Sequence, residues 1–278
     1  MTEVKGKSGL LSSVKLHVDD TGGDGRPVVL IHGWPLSGES WSEQVAPLSA
    51  AGYRVVRYDR RGFGRSDKPS GGFEYDTLAD DLSKVLEELD LHDVTLVGFS
   101  MGGGEVARYV ARHGEDRLRS VVFAAAVTPY LMQGDDNPDG PLTEDAAAGL
   151  AASCEADREG FFDGFMTAFF SANGVLKVTE SQRQEALRQI RQATDEAVLA
   201  CMQAWAGTDF RDDLAKVTVP ALVIHGDGDA TVPFEGSGAR THVAVAHSQL
   251  VVVPDGPHGV NVSHADAFNT ALLEFLRQ

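Results

Sequence analysis

Short apolar runs rich in β-branched residues alternate with longer amphipathic stretches along the first 126 residues. Residues 14–18 alternate between apolar and polar positions, as a half-exposed strand does, and 20–25 read as a turn. Residues 27–31 (Pro-Val-Val-Leu-Ile) are wholly apolar, and further strands are predicted at 53–58, 94–97 and 118–124. Between them lie three helical patterns. One starts at Ser40 as N-cap, places Trp41, Val45 and Leu48 on one side, and is shortened or kinked by Pro47. The second covers 76–91, with Leu78, Leu82, Val85, Leu86 and Leu89 in one stripe, and the third covers 101–112. Strand and helix in regular alternation predict a parallel sheet covered on both faces.

That rhythm stops after residue 126. From 128 to 213 no strand is predicted. A Gly/Pro/Asp loop at 134–141 leads into helical segments at 144–156, 158–170, 180–192 and 195–205, with Phe161, Phe165 and Phe169 repeating at helical spacing. Alternation returns with a strand at 221–224, a helix from about 234, a strand at 249–253 and a last helix at 265–276. The division expected is a core of residues 1–126 and 214–278, with 127–213 as a helical cap. Residues 1–9 are polar and read as a loose tail, and no signal peptide is visible.

Composition narrows the classes of function. With 278 residues, 42% of them apolar, and no apolar run near 18, the chain can build a large core and is read as soluble. A net charge of −17 repels nucleic acid and anionic membrane, so neither is expected as a partner. Cys154 and Cys201 supply neither a disulfide framework nor metal-ligand spacing; they read as core residues of a cytoplasmic protein.

The candidate chemistry gathers at the carboxyl ends of the predicted strands, where open α/β sheets bind ligands. Gly98-Phe99-Ser100-Met101-Gly102 is a G-x-S-x-G pattern between a strand and a helix, a setting in which the turn lifts the serine above the sheet. A serine alcohol needs an imidazole to take its proton and a carboxylate to orient that imidazole. Asp229, after the next-to-last strand, and His258, after the last, complete a Ser…Asp…His order. Asp227 is the fallback acid, and Asp255 is assigned to its turn. His32 and His225 end strands and read as structural through backbone hydrogen bonds, and His264 reads as an exposed helix start. The N–H groups of Trp34 and Met101 are the candidate oxyanion donors. Val127, Leu131, Phe165, Phe169, Trp205 and Val232 are candidates for an apolar substrate pocket under the cap.

His32-Gly33-Trp34-Pro35-Leu36, the stretch from Tyr58-Asp59-Arg60-Arg61-Gly62 to Ser66, Gly98 to Glu105, Gly226-x-x-Asp229 and Pro257-His258-Gly259 together resemble the α/β-hydrolase superfamily. Within it they resemble the cofactor-free bacterial haloperoxidases, or perhydrolases, with the related aryl esterases and γ-lactamases. That resemblance implies an α/β-hydrolase fold, with a mostly parallel eight-stranded sheet, helices on both faces and a helical cap insertion. It also implies an acyl-Ser100 enzyme that needs neither metal nor haem. Its partners would be a small ester, lactam or carboxylic acid and hydrogen peroxide, and a homo-oligomer is left open. Water would resolve the acyl-enzyme as an esterase does, and peroxide would give a peracid that oxidises halide. Trp34-Pro35 leans toward perhydrolysis, since several esterases of the group carry Trp-Leu there. The alternatives are an aryl esterase or γ-lactamase without perhydrolysis, and a ligand-binding protein of the same fold. Ser100 in place of aspartate excludes the haloalkane dehalogenase mechanism.

Overall fold

The computed structural model describes residues 2–6 and 14–278. The core runs β1 (Thr2–Gly6), β2 (Val14–Asp20), β3 (Pro27–Ile31), α1 (Ser42–Ala50), β4 (Arg54–Tyr58), α2 (Tyr75–Glu88), β5 (Val94–Phe99), α3 (Met101–His113) and β6 (Leu118–Ala124). A mainly helical segment follows: α4 (Glu144–Ala156), α5 (Arg158–Phe169), the pair β7 (Ser171–Ala172) and β8 (Val175–Leu176), α6 (Glu180–Ile190), α7 (Asp195–Gly207) and the short α8 (Arg211–Leu214). The chain ends with β9 (Ala221–Gly226), α9 (Gly238–Ala244), β10 (Gln249–Val253), α10 (Val260–Ser263) and α11 (Ala265–Leu276). No described helix is long and apolar enough to cross a membrane.

Eight strands form one sheet in the order β1-β2-β4-β3-β5-β6-β9-β10. Pairings of β1 with β2 and of β2 with β4 are antiparallel; the rest are parallel. Every residue of β3, β5 and β9 is buried, which explains their uninterrupted apolar runs. The step from β3 to β4 travels one way across the sheet, while β4 to β5 and β5 to β6 travel the other. Right-handed crossovers then place α1 on one face and α2 and α3 on the opposite one. In agreement, α1 packs with α10 and α11, and α2 packs with α3. The reversal also makes β3 and β5 neighbours, with Ile31 beside Gly98. Their carboxyl ends open the crevice in which ligands bind.

Three local expectations are corrected. The polar N-terminal stretch is not a loose tail throughout: Thr2–Gly6 pairs along β2, covering backbone groups that would otherwise form an open edge. Met1 and residues 7–9 of that stretch lie outside the described residues. Ser40 is not the helix cap. Ser37 caps a 3₁₀ turn, Gly38–Trp41, by accepting from Glu39 N–H, and α1 follows from Trp41 with no side-chain cap; the Ser40 hydroxyl donates to the Ser37 carbonyl at 2.8 Å. The strandless reading of 128–213 also missed the β7–β8 hairpin, whose Asn173-Gly174 turn has φ of 52° and 76° at its two positions. Positive φ at both positions suits the twist of a two-residue hairpin, and Asn-Gly is the sequence that favours it.

The four long helices between β6 and β9 begin where the chain supplies caps. Thr143, Asp157, Thr179 and Thr194 each accept a backbone N–H from the first turn of the helix that follows, and Thr179 forms a capping box with Gln182. These caps explain why the predicted helix starts coincide with the observed ones.

Candidate active site

The turn after β5 holds a strained serine between two close backbone approaches. Ser100 has φ +54° and ψ −118°, a conformation that costs a side-chain-bearing residue free energy and is retained where the surroundings fix it. Fixing it here, Ser100 N–H donates to the Ala124 carbonyl at 2.8 Å, and its carbonyl accepts from Gly103 and Val127 at 3.0 and 3.2 Å. A Cβ on Gly98 would lie 2.4 Å from the Gly102 carbonyl oxygen, and one on Gly102 would lie 2.5 Å from that of Ile31. Glycine at both positions lets strand and helix meet at this angle.

Ser100 Oγ lies 2.9 Å from His258 Nε2, and His258 Nδ1 lies 2.7 Å from Asp229 Oδ2. A carboxylate only accepts, so Nδ1 carries the proton and Nε2 is left to accept from the serine hydroxyl. Asp229 Oδ1 accepts from the N–H groups of Thr231 and Val232 at 2.9 and 2.8 Å. Burial opposes ionisation of Asp229. The charge and hydrogen bond of His258 and the hydrogen bond of His225 override it and hold the carboxyl well below the usual carboxylate range. Asp227 points elsewhere: it is exposed and accepts from Asp255 N–H at 2.6 Å. The His258 ring sits against Phe99 at 5.2 Å and edge-on to Phe169 at 4.8 Å. Gly259 N–H donates to the Phe169 carbonyl at 3.0 Å, which ties the histidine loop to α5. His264 is half-buried, and its Nδ1 lies 3.0 Å from the Ser263 hydroxyl.

The second donor loop follows β3. A Cβ on Gly33 would come within 2.7 Å of the Phe99 ring and 3.1 Å of Ser100 Cβ, so only glycine lets this loop lie beside the nucleophile. His32 accepts from Arg60 N–H through Nε2 at 2.9 Å, which leaves Nδ1–H to donate to the Gly33 carbonyl at 2.9 Å. Burial, and then the nearby Arg60 charge, push the His32 pKa well down and keep the ring neutral. Leu36 N–H also donates to the Gly33 carbonyl, at 3.0 Å. The Gly33 carbonyl and the Trp34 N–H belong to one planar trans peptide, so fixing the carbonyl on one side turns the N–H to the other. Trp34 N–H donates to no acceptor among the described residues. The Met101 N–H opens α3, where first-turn donors have no intrahelical acceptor. The Trp34–Pro35 peptide is cis. The Trp34 indole N–H donates to the Val198 carbonyl at 2.9 Å, and its ring packs on Phe162, Phe165 and Trp205 at 5.4–5.7 Å.

The six apolar candidates divide into two groups. Leu131, Phe165 and Trp205 line a cavity of about 540 Å³ between α4, α5, α7 and residues 230–233, and among the described residues no charged side chain lines it. Val127, Phe169 and Val232 do not line that cavity. Val127 and Val232 instead bond the backbone of Ser100 and the carboxylate of Asp229. Phe169 packs on His258 and lines a separate cavity of about 290 Å³ together with Leu36 and Phe170.

Two features went unread in the sequence. Behind the donor loop, Glu105 of α3 accepts from the Tyr58 hydroxyl and from Arg60 Nε at 2.9 Å, with all three side chains buried. Burial opposes the Arg60 charge, and Glu105 and Tyr58 override it and raise its pKa. Second, His225 makes the backbone bond expected of it, to the Val232 carbonyl at 2.8 Å, but its Nε2 also stands 3.1 Å from Asp229 Oδ2. Among the described residues, no group of three or more His, Cys, Asp or Glu side chains is placed to hold a metal ion.

The family model described as the alpha/beta hydrolase fold matches residues 26–265. A non-heme chloroperoxidase from Kitasatospora aureofaciens is 42% identical over 259 residues, 92% of this chain and 94% of that protein. A bifunctional esterase/perhydrolase from Acinetobacter calcoaceticus is 36% identical over 267 residues, 95% and 96% of the two chains. The crystal structure of a bromoperoxidase from Bacillus anthracis superposes with a TM-score of 0.96 at 48% identity, covering 100% of this chain and 99% of that one.

Proposed function

Because the chain belongs to the α/β-hydrolase fold family, among its non-heme haloperoxidases and esterase/perhydrolases, we propose that Ser100, His258 and Asp229 carry acyl transfer in it. The observation behind this reading is the continuous path from Ser100 Oγ through His258 to Asp229, at 2.9 and 2.7 Å, beside two N–H groups that have no acceptor among the described residues. As Ser100 Oγ attacks the carbonyl carbon of a small ester, its proton passes to His258 Nε2, and Asp229 stabilises the imidazolium. The N–H groups of Trp34 and Met101 receive the oxyanion. The leaving alcohol takes the proton from His258, leaving acyl-Ser100. Water or hydrogen peroxide then gives a proton to His258 and attacks, and collapse returns Ser100 with a carboxylic acid or a peracid. A peracid carries its distal oxygen to halide in solution, giving carboxylate and hypohalous acid. This sequence uses side chains and backbone alone.

We read 127–213 as a cap on a core of 1–126 and 214–278. Its uncharged cavity, bordered by Phe165 and Trp205, also favours aryl or medium-length acyl esters, the esterase reading. Pro35, buried beside Trp34, fixes its own φ and offers no N–H. A loop held in this way favours peroxide over water in the space near the acyl carbon. The test is bromination of monochlorodimedone with acetate, bromide and peroxide, run beside p-nitrophenyl ester hydrolysis. Wild type is expected to brominate, and Pro35→Leu to lower bromination relative to hydrolysis. Hydrolysis of aryl esters or a bicyclic lactam without bromination would replace the perhydrolase reading with the esterase or lactamase one.

A further inference from the structure

We propose that His225 is a positioning residue: it locks the carboxylate of Asp229 in the orientation that serves His258. This inference rests on the acyl-transfer reading of Ser100, His258 and Asp229. His225 is the next-to-last residue of β9, four residues before Asp229, and is fully buried. Its Nε2 stands 2.8 Å from the Val232 carbonyl and 3.1 Å from Asp229 Oδ2. Both neighbours are acceptors, so Nε2 must carry the proton. Nδ1 has no partner. It faces Gly238, where a Cβ would come within 2.5 Å of it. A proton on Nδ1 would therefore be stranded, and the ring is held as the neutral Nε2–H form.

The contacts close a ring. Val232 N–H donates to Asp229 Oδ1, the Val232 carbonyl accepts from His225, and the same His225 N–H faces Asp229 Oδ2. Oδ2 is also the oxygen that receives the His258 Nδ1 proton. His225 thus fixes the turn that presents the acid and withdraws electron density from the oxygen that orients the base. The titratable groups meeting it are Asp229 and, across that carboxylate, His258. The turn before α9 brings the Phe234 ring at 5.7 Å, and α9 brings Gly238, neither of which titrates.

Two measurements test this on the full-length enzyme. In nitrogen-15 NMR of the wild type, His225 should show the neutral Nε2–H tautomer; a proton on Nδ1 instead would overturn the proposal even if every variant failed to fold. The second is the pH profile of kcat/KM for p-nitrophenyl acetate. The amide of His225→Asn reaches only as far as Nδ1 and cannot face Oδ2, whereas that of His225→Gln reaches the place of Nε2. Without the donor Asp229 holds the proton on His258 more firmly. The acid-side inflection of H225N should then move up by on the order of one pH unit, the worth of one hydrogen bond to a charged group, with KM unchanged. H225Q should restore the wild-type inflection. An H225N protein that melts lower but keeps the wild-type profile has lost packing only, and the proposal fails. Loss of hydrolysis in Ser100→Ala supports the underlying acyl-transfer reading without involving His225, so the two can fail separately.

Discussion

Asp227 and Asp229 lie two positions apart in the chain, and their surroundings give them different roles. The Asp229 carboxylate accepts from two backbone N–H groups of the turn that follows and from His258, while Asp227 accepts from the backbone of Asp255 and faces solvent. Asp229→Asn puts a donor where His258 Nδ1–H needs an acceptor and favours the wrong imidazole tautomer. The expected loss in kcat is roughly 10⁴. Asp227→Asn should leave kcat within a few-fold of wild type, and steady-state ester hydrolysis of both variants decides between them. At this scale much was legible, because the turn chemistry around Ser100, Asp229 and His258 is local. His225 shows where local reading stops. Its place at a strand end predicts a backbone bond, which it makes, but not which way the 229–232 turn folds back toward it.

The elements that place the nucleophile are braced from behind by ionised groups. Glu105 of α3 lies five residues after Ser100, and its carboxylate holds Arg60 and Tyr58 from the β4 end. Arg60 in turn gives its N–H to His32 Nε2 and a guanidinium N–H to the His32 carbonyl at 2.8 Å. Through these bonds the nucleophile's helix and the Trp34 loop share one fixed frame. Removing one partner strands a buried charge. Arg60→Met should therefore cost about 3–5 kcal/mol in urea unfolding. Adding Glu105→Gln to Arg60→Met should recover part of that loss, because no unpaired charge remains and the amide oxygen can still accept from Tyr58. Additive losses in the double variant would contradict this. Sequence reading missed the brace because its members are 45 residues apart and look like ordinary charged positions on a loop and a helix. The strands and the helices between β6 and β9 were legible for the opposite reason: apolar period and N-cap residues lie within each segment.

Across the whole molecule, the segment between β6 and β9 and the core meet over the reacting centre. The Trp34 indole bonds the Val198 carbonyl of α7, and Phe165 and Trp205 pack on its ring. Phe169 of α5 meets His258. These contacts join residues 131–171 positions apart or, for Phe169 and His258, 89 apart, separations at which apolar spacing gives the buried face but not its partner. Hence the sequence offers six apolar pocket candidates but not the division between Leu131, Phe165 and Trp205, which line the larger cavity, and Val127, Phe169 and Val232, which do not. The cavity and the triad together make acylation of Ser100 the central claim, and a rapid-mixing measurement with p-nitrophenyl acetate tests it most directly. The account predicts a burst of p-nitrophenolate equal to the enzyme concentration, with the acetyl group on Ser100 by mass spectrometry of the quenched protein, and neither in a folded Ser100→Ala variant. Turnover without an acyl adduct, or a burst that survives in Ser100→Ala, would contradict it.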